Sequence, residues 1–241
     1  MKPKEFNGIE FFMEEPESYI QINDINEEDL DTLWQYLQSQ YPGFQVDLCF
    51  RNVPTPTKAL DKIGATVIDD CVEMRMDLEG NIAEDLAKDI QVNLLTQEEF
   101  PEFAKLHDST YPTMYWTSKR ILESWDIWRI FTIRGDGKET ATPKITGYIL
   151  YKHVAHRGIR EVFCVAGGSL DQHKALLSAI VKWSQTEGMK AEQAHSPSDK
   201  TILFMIDRND NFDMEMEAAG ATGFKETGFY VGYSTNLSTG I

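Results

Sequence analysis

The sequence predicts an α+β fold, and three observations carry that prediction. Short alternating or continuously apolar runs of strand length are interleaved with amphipathic helical stripes along the whole chain. EVFCVAGGSLDQHKALLSAIVKWSQTEG (161–188) reads as a strand, a Gly-Gly corner and a helix that ends at glycine. A block ordered strand, helix, strand, helix, strand occurs near both ends of the chain.

Taken in order, SYIQINDI (18–25) is the first strand. Asn26 and Asp29 then cap a helix whose Leu30, Leu33, Trp34 and Leu37 form one apolar face, and Pro42-Gly43 stops it. FQVDLCF (44–50) alternates with Phe44, Val46, Leu48 and Phe50 inward. After the VPTPT break come a short helix (KALDKIG) and the strand DDCVEMRMDL, with Val72, Met74 and Met76 inward. Polar EGNIAEDLAKD (79–89) reads as a linker.

Beyond it IQVNLL is a strand, and Thr96 with Glu99 forms a capping box for a helix reaching His107. SKRILESW (118–125) is a further helix, and WRIFTIRGDGKE with KITGYILYKHV gives two strands joined by a glycine turn. In the helix after EVFCV, Leu176, Leu177, Ile180, Val181 and Ser184 face inward, with Lys174, Ser178, Lys182 and Gln185 on the wetter side. TILFMID (201–207) reads as a buried strand, DNFDMEMEAAG as a helix, and FKETGFYVGYSTNL as the closing strand; KAEQAHSPSD fits either a strand or a loop. The two ends share a short helix, a Gly-Ala-Thr step and a final strand (58–78 and 216–237), preceded by matching strand ends at Phe50-Arg51-Asn52 and Asp207-Arg208-Asn209. The expected domains are an incomplete copy at 1–85 and a fuller copy at 90–241.

Composition narrows the partners. The 241 residues carry a formal net charge of -16, with scattered rather than clustered Lys and Arg, which excludes a nucleic-acid stripe. Cys49, Cys71 and Cys164 lie far apart, and the five histidines show no zinc spacing. The N-terminus lacks the apolar core of a signal peptide, and no apolar run approaches the ~20 residues of a membrane span. A cytoplasmic protein is expected, and a homodimer is compatible with it.

Residues 90–237 resemble the GNAT superfamily of N-acetyltransferases. The resemblance rests on element order and on three segments: KITGYILYKHV for the family's apolar Gly-Tyr/Phe strand, EVFCV for its splayed central strand, and ALLSAIVKWSQTEG for its cofactor-side helix. RNDNFDMEMEAAGATGF resembles the later helix, with Asn211 twelve residues before Gly223-Phe224. Residues 18–78 look like the second half of the same fold. The resemblance implies a mixed, mostly antiparallel central sheet flanked by helices, and acetyl-CoA as the acyl donor to a primary amine of a small molecule or peptide.

The resemblance also assigns roles. The family's pyrophosphate loop reads Arg/Gln-x-x-Gly-x-Gly/Ala, whereas AGGSLDQHKALL has no register that supplies every position. Gly167, Gly168, Gln172, His173, Lys174, Ala175 and Asn211 are therefore the expected cofactor contacts, together with the main chain of Cys164 and Val165. Asp171 opposes an anion at the same turn. Glu161 occupies the place of the general base. The family's acid is a Tyr about four residues before the Gly-Phe pair; that place holds Ala219, so Tyr230 on the last strand is the expected substitute, with Tyr233 a further candidate. Tyr111, Tyr115 and Trp116 are expected to line the acceptor pocket. Two other readings stand beside the enzyme: a catalytically degenerate relative that binds a CoA-type ligand or a protein, and a Fem-type aminoacyl transferase, which the acidic charge disfavours.

Overall fold

A computed structural model describes residues 1–79, 86, 89–112, 114–135, 144–188 and 200–238, the side chains of 187 and 188 excepted. The expected turn at 136–143, most of the 79–89 linker and the KAEQAHSPSD segment lie outside the described residues. The chain forms two compact units, Met1–Glu73 with Gly228–Ile241, and Met74–Thr227.

The first unit holds β1 (Lys2–Phe6), β2 (Ile9–Glu14), β3 (Tyr19–Asn23), α1 (Glu27–Gln40), β4 (Gln45–Arg51), α2 (Thr57–Lys62) and most of β5 (Thr66–Asp77). Asn26 caps α1 as expected, its Oδ1 accepting the Asp29 N–H at 2.9 Å. Leu30, Leu33, Trp34 and Leu37 are buried against Ile20, Ile22, Val46, Leu48 and Phe50. Each such side chain removed from water contributes about 2 kcal/mol. β3 pairs in parallel with β4, the helix between them making the crossover, while β1, β2 and β3 pair antiparallel. The β1–β2 hairpin is an addition to the sequence reading. Asn7 and Gly8 both have positive φ (52° and 82°), the geometry of a primed hairpin turn that Asn-Gly favours.

The second unit holds the end of β5, β6 (Val92–Leu94), α3 (Phe100–Thr110), α4 (Ser118–Glu123), β7 (Trp128–Arg134), β8 (Ile145–Val154), β9 (Ile159–Ala166), α5 (Leu170–Trp183), β10 (Thr201–Asp207) and α6 (Phe212–Ala221). β6 to β9 pair antiparallel in sequence order, and β9 pairs in parallel with β10 across α5. Both units thus hold mixed, mostly antiparallel strands flanked by helices, the α+β class the sequence predicts. The Thr96–Glu99 box closes differently from the expectation. Glu99 accepts both the Thr96 N–H (2.9 Å) and hydroxyl (3.1 Å), and α3 starts only at Phe100.

The last strand, β11 (Lys225–Asn236), follows α6 in sequence, yet from Gly228 on it belongs to the first unit, antiparallel to β4 from Tyr230↔Arg51 to Asn236↔Gln45. The compact units therefore cut the chain elsewhere than the 85/90 boundary read along the sequence. Local patterning identifies strands but not long-range partners. Among the described residues no helix is long and apolar enough to cross a membrane, and no cluster of His, Cys, Asp or Glu is arranged to hold a metal.

Candidate cofactor cleft at the parting of β9 and β10

The site begins as a defect in sheet pairing. Among the described residues β9 meets β10 only at Glu161↔Leu203 and Val162↔Phe204, although β9 runs on to Ala166. On its other side β9 stays paired with β8, but the register jumps from Tyr151↔Val162 to Leu150↔Cys164 and leaves Phe163 as a bulge. Residues 163–166 thus lose their pairing with β10 while still held by β8. Unpaired strand edges are what an extended, amide-bearing ligand arm recognises.

A buried network props this strand from below. His107 (α3) places Nε2 2.8 Å from the Trp116 carbonyl and Nδ1 2.8 Å from the Tyr148 hydroxyl (β8). A carbonyl only accepts, so in neutral His107 the proton sits on Nε2, and Nδ1 receives the Tyr148 O–H. Burial above all pushes the Cys164 thiol up, so it stays a thiol. Cys164 is a buried packing residue.

The corner itself is built by close approach. Gly167 and Gly168 have no positive φ. A Cβ on Gly167 would lie 3.3 Å from Gln172 Cβ, and one on Gly147 (β8) 3.0 Å from the Ala166 carbonyl. Small residues are needed there for space rather than for left-handed backbone. Ser169 caps α5 by accepting the Gln172 N–H at 3.3 Å, and Gln172 Oε1 accepts the Gly168 N–H at 2.6 Å. The Ser169-x-x-Gln172 spacing was the signal for this in the sequence. The N–H groups of Ser169, Leu170 and Asp171 find no acceptor among the described residues, so the start of this 14-residue helix retains anion-binding capacity.

Several expected contacts are corrected. His173 is 1% exposed, with Nδ1 3.0 Å from the Ser169 carbonyl, and Ala175 is also buried; the helical period turns both inward. Lys174 is not a loose cation, because Nζ lies 3.2 Å from Glu217 on α6. Ser178, placed on the wetter side, is buried. Asn211 is exposed just before α6, its N–H donated to Asn209 Oδ1. Tyr230 belongs to the first unit, where its hydroxyl donates to Cys49 Sγ at 2.9 Å and burial pushes the phenol up. A phenol whose proton is held by a neighbour and whose acidity is suppressed is a poor acid, so the substitute role assigned to Tyr230 lacks support.

Of the expected acceptor residues, Tyr111 reaches the strand, its hydroxyl donating to the Val165 carbonyl at 3.1 Å. Trp116 packs edge-on against Trp128 and Phe163, with Lys152 Nζ 5.4 Å above its ring. Tyr115 is 59% exposed under Arg120. Glu161 is half-buried where β9 and β10 still touch, directly across from Lys152. A separate groove of about 730 Å³ lies across β6 to β8, lined by Asn93, Arg134 and Thr146 among others; Gln172 is the predicted residue it shares. Its cation, Arg134, is already held by Glu99 and Glu102. Along β9 beyond Val162 the β8 side stays paired and the Val165 carbonyl is taken by Tyr111, while no pairing with β10 is formed there among the described residues.

One group was missed by sequence reasoning. Glu215, on α6, is 7% exposed and raised to about 7 by burial, with Asp207 adding repulsion.

No protein-family profile matches the chain, and neither does any curated protein sequence. Solved structures do. A GCN5-related N-acetyltransferase from Sphaerobacter thermophilus aligns over 96% of this chain and 78% of its own, with TM-score 0.63 and 13% identity. A functionally unknown conserved protein from Staphylococcus epidermidis aligns over 94% and 90%, at TM-score 0.60 and 12% identity. A tandem GNAT protein from the clavulanic acid biosynthesis pathway aligns over 87% and 69%, at TM-score 0.55 and 12% identity. With the strand parting, the glycine corner and the capped helix in place, the chain carries the GNAT fold, that of the GCN5-related N-acetyltransferases.

Proposed function

We propose that the chain is an acetyl-CoA-dependent N-acetyltransferase acting on a primary amine of a small molecule or peptide. The observation that carries this reading is the parting of β9 from β10 above a helix N-terminus with uncommitted amides. A CoA-type ligand fits there through main chain: the edge of Phe163–Ala166 for its amide-bearing arm, and Ser169, Leu170 and Asp171 N–H groups for its phosphates. Acetyl-CoA supplies an acyl group already activated as a thioester. This chain's residues supply the rest. Glu161 takes the proton from the attacking amine, main-chain N–H groups of β9 meet the developing oxyanion, and Tyr111 closes the acceptor side. The tandem reading rests on the two strand–helix–parallel-strand blocks, β3-α1-β4 and β9-α5-β10.

A second reading, a binder that has lost catalysis, draws on the same corner. Gln172 holds the Gly168 amide, Glu217 neutralises Lys174, and Ala219 stands where the family has its Tyr. Incubation with acetyl-CoA and spermidine, tryptamine or a lysine-containing peptide separates the two. Acetylated amine with stoichiometric free thiol is the expected result. Saturable acetyl-CoA binding with no thiol release above buffer for any of these amines favours the binder.

A further inference from the structure

We propose that the amine accepted here carries a carboxylate of its own, as an α-amino acid does, and that Lys152 selects for it. The inference rests on the acetyl-transfer reading and on the place of one ammonium group. Lys152 on β8 stands directly across from Glu161 on β9, so the two side chains leave the same face of the sheet. Its Nζ lies 5.4 Å from the Trp116 ring and 5.5 Å from the Phe163 ring, and it makes no ion pair with a described residue. Phe163 is the bulged residue just beyond the last β9–β10 pair, and Trp116 lies between α3 and α4. Measured distances therefore set a positive charge beside the parted strand and next to Glu161.

That state is unusual for this chain. Three described lysines are half-buried, Lys152, Lys174 and Lys200; the other two are ion-paired, with Glu217 and Glu79. With 39 Asp and Glu against 23 Lys and Arg, composition does not explain a half-buried ammonium that meets only ring faces. A ring face holds a cation more weakly than a carboxylate does, so Lys152 stays available to an anion. It also repels a second cation brought beside it. Arg120, the other cation near these aromatics, is committed to Tyr115: its guanidinium lies 4.0 Å from the ring, and Nη1 donates to the carbonyl at 3.1 Å.

Directly opposed residues have Cβ atoms about 5 Å apart, so an amine bound at Glu161 arrives close to the Lys152 charge. An amine whose body is neutral or cationic meets repulsion there. An α-amino acid sets its nitrogen at Glu161 and its carboxylate on Lys152. Its net charge is zero, so the -16 of the chain does not oppose its approach. The Trp116 and Phe163 rings suit an apolar or aromatic side chain. Trp116 is itself fixed, its ring 5.0 Å from Trp128 and its carbonyl held by His107. The transfer is unchanged: the nitrogen–carbon bond forms, the carbon–sulfur bond breaks, the amine proton passes to Glu161, and the thiolate takes its proton from water. Lys152 keeps its own.

The test is thiol release by the full chain with acetyl-CoA and a matched pair, tryptophan and tryptophanamide, compared by kcat/KM. The two differ in the charge on the carboxyl end. The amide has the less basic amine, which favours it if that charge plays no part. Wild type is expected to prefer tryptophan by about thirtyfold. Lys152→Met keeps a stem over the rings without the charge and should bring the ratio within about threefold of one, whereas Lys152→Arg keeps it above about tenfold. A ratio cancels any loss of folded protein, so an unstable variant does not mimic the result. Equal turnover of the pair by wild type, or a preference that survives in Lys152→Met, overturns this inference and leaves acetyl transfer standing. No thiol release with either compound or with the three amines above overturns the acetyl-transfer reading and this inference with it.

Discussion

Glu161→Gln is expected to lower turnover by about a hundredfold or more while leaving acetyl-CoA affinity nearly unchanged. The substitution keeps the size of the side chain and its place opposite Lys152 on β8, so the strand pairing of β9 survives. What it removes is an acceptor for the amine proton. An amine that stays an ammonium has no lone pair for the acyl carbon, and raising the pH should partly rescue the variant by supplying free amine. Steady-state kinetics over pH 6 to 10 give the answer. Turnover equal to wild type at neutral pH would exclude Glu161 as the base.

The second large effect is structural. His107→Ala should destabilise the protein by about 3 kcal/mol, because three losses coincide. The Tyr148 hydroxyl, which is fully buried, loses its acceptor, and the Trp116 carbonyl loses its donor. The ring that stacks on Phe103 at 5.2 Å leaves a void. His107→Phe refills the void without restoring either hydrogen bond, so it should recover only part of the loss. Urea denaturation of the three proteins measures this directly. A His107→Ala midpoint within error of wild type would mean that the network does not bear on the strand it underlies.

Much of the fold was legible because it is written in local periodicity. The α1 stripe of Leu30, Leu33, Trp34 and Leu37 and the α5 stripe of Leu176, Leu177, Ile180 and Val181 are buried as their spacing requires. The β1–β2 hairpin was legible too, in Asn7-Gly8, and was passed over. Other features have no local signature. The bulge at Phe163 arises from a mismatch between partners on either side of β9, which one strand's letters cannot express. The placement of β11 beside β4 is a pairing across some 180 residues. Glu215 sits in DMEMEAAG, which reads as a solvated acidic helix; only packing of α6 shows that one carboxyl of three is buried. Lys174 looked like a phosphate ligand because its partner Glu217 lies on another helix.

The central claim is that main-chain groups along the parted β9 and the first turn of α5 hold a CoA thioester. Calorimetric titration of the full chain with acetyl-CoA, followed by hydrogen exchange on the same sample, tests it most directly. The account predicts saturable heat with one ligand per chain and slowed exchange at the amides of Phe163–Ala166 and Ser169–Asp171. No heat and no slowed exchange there at about 1 mM ligand would contradict it.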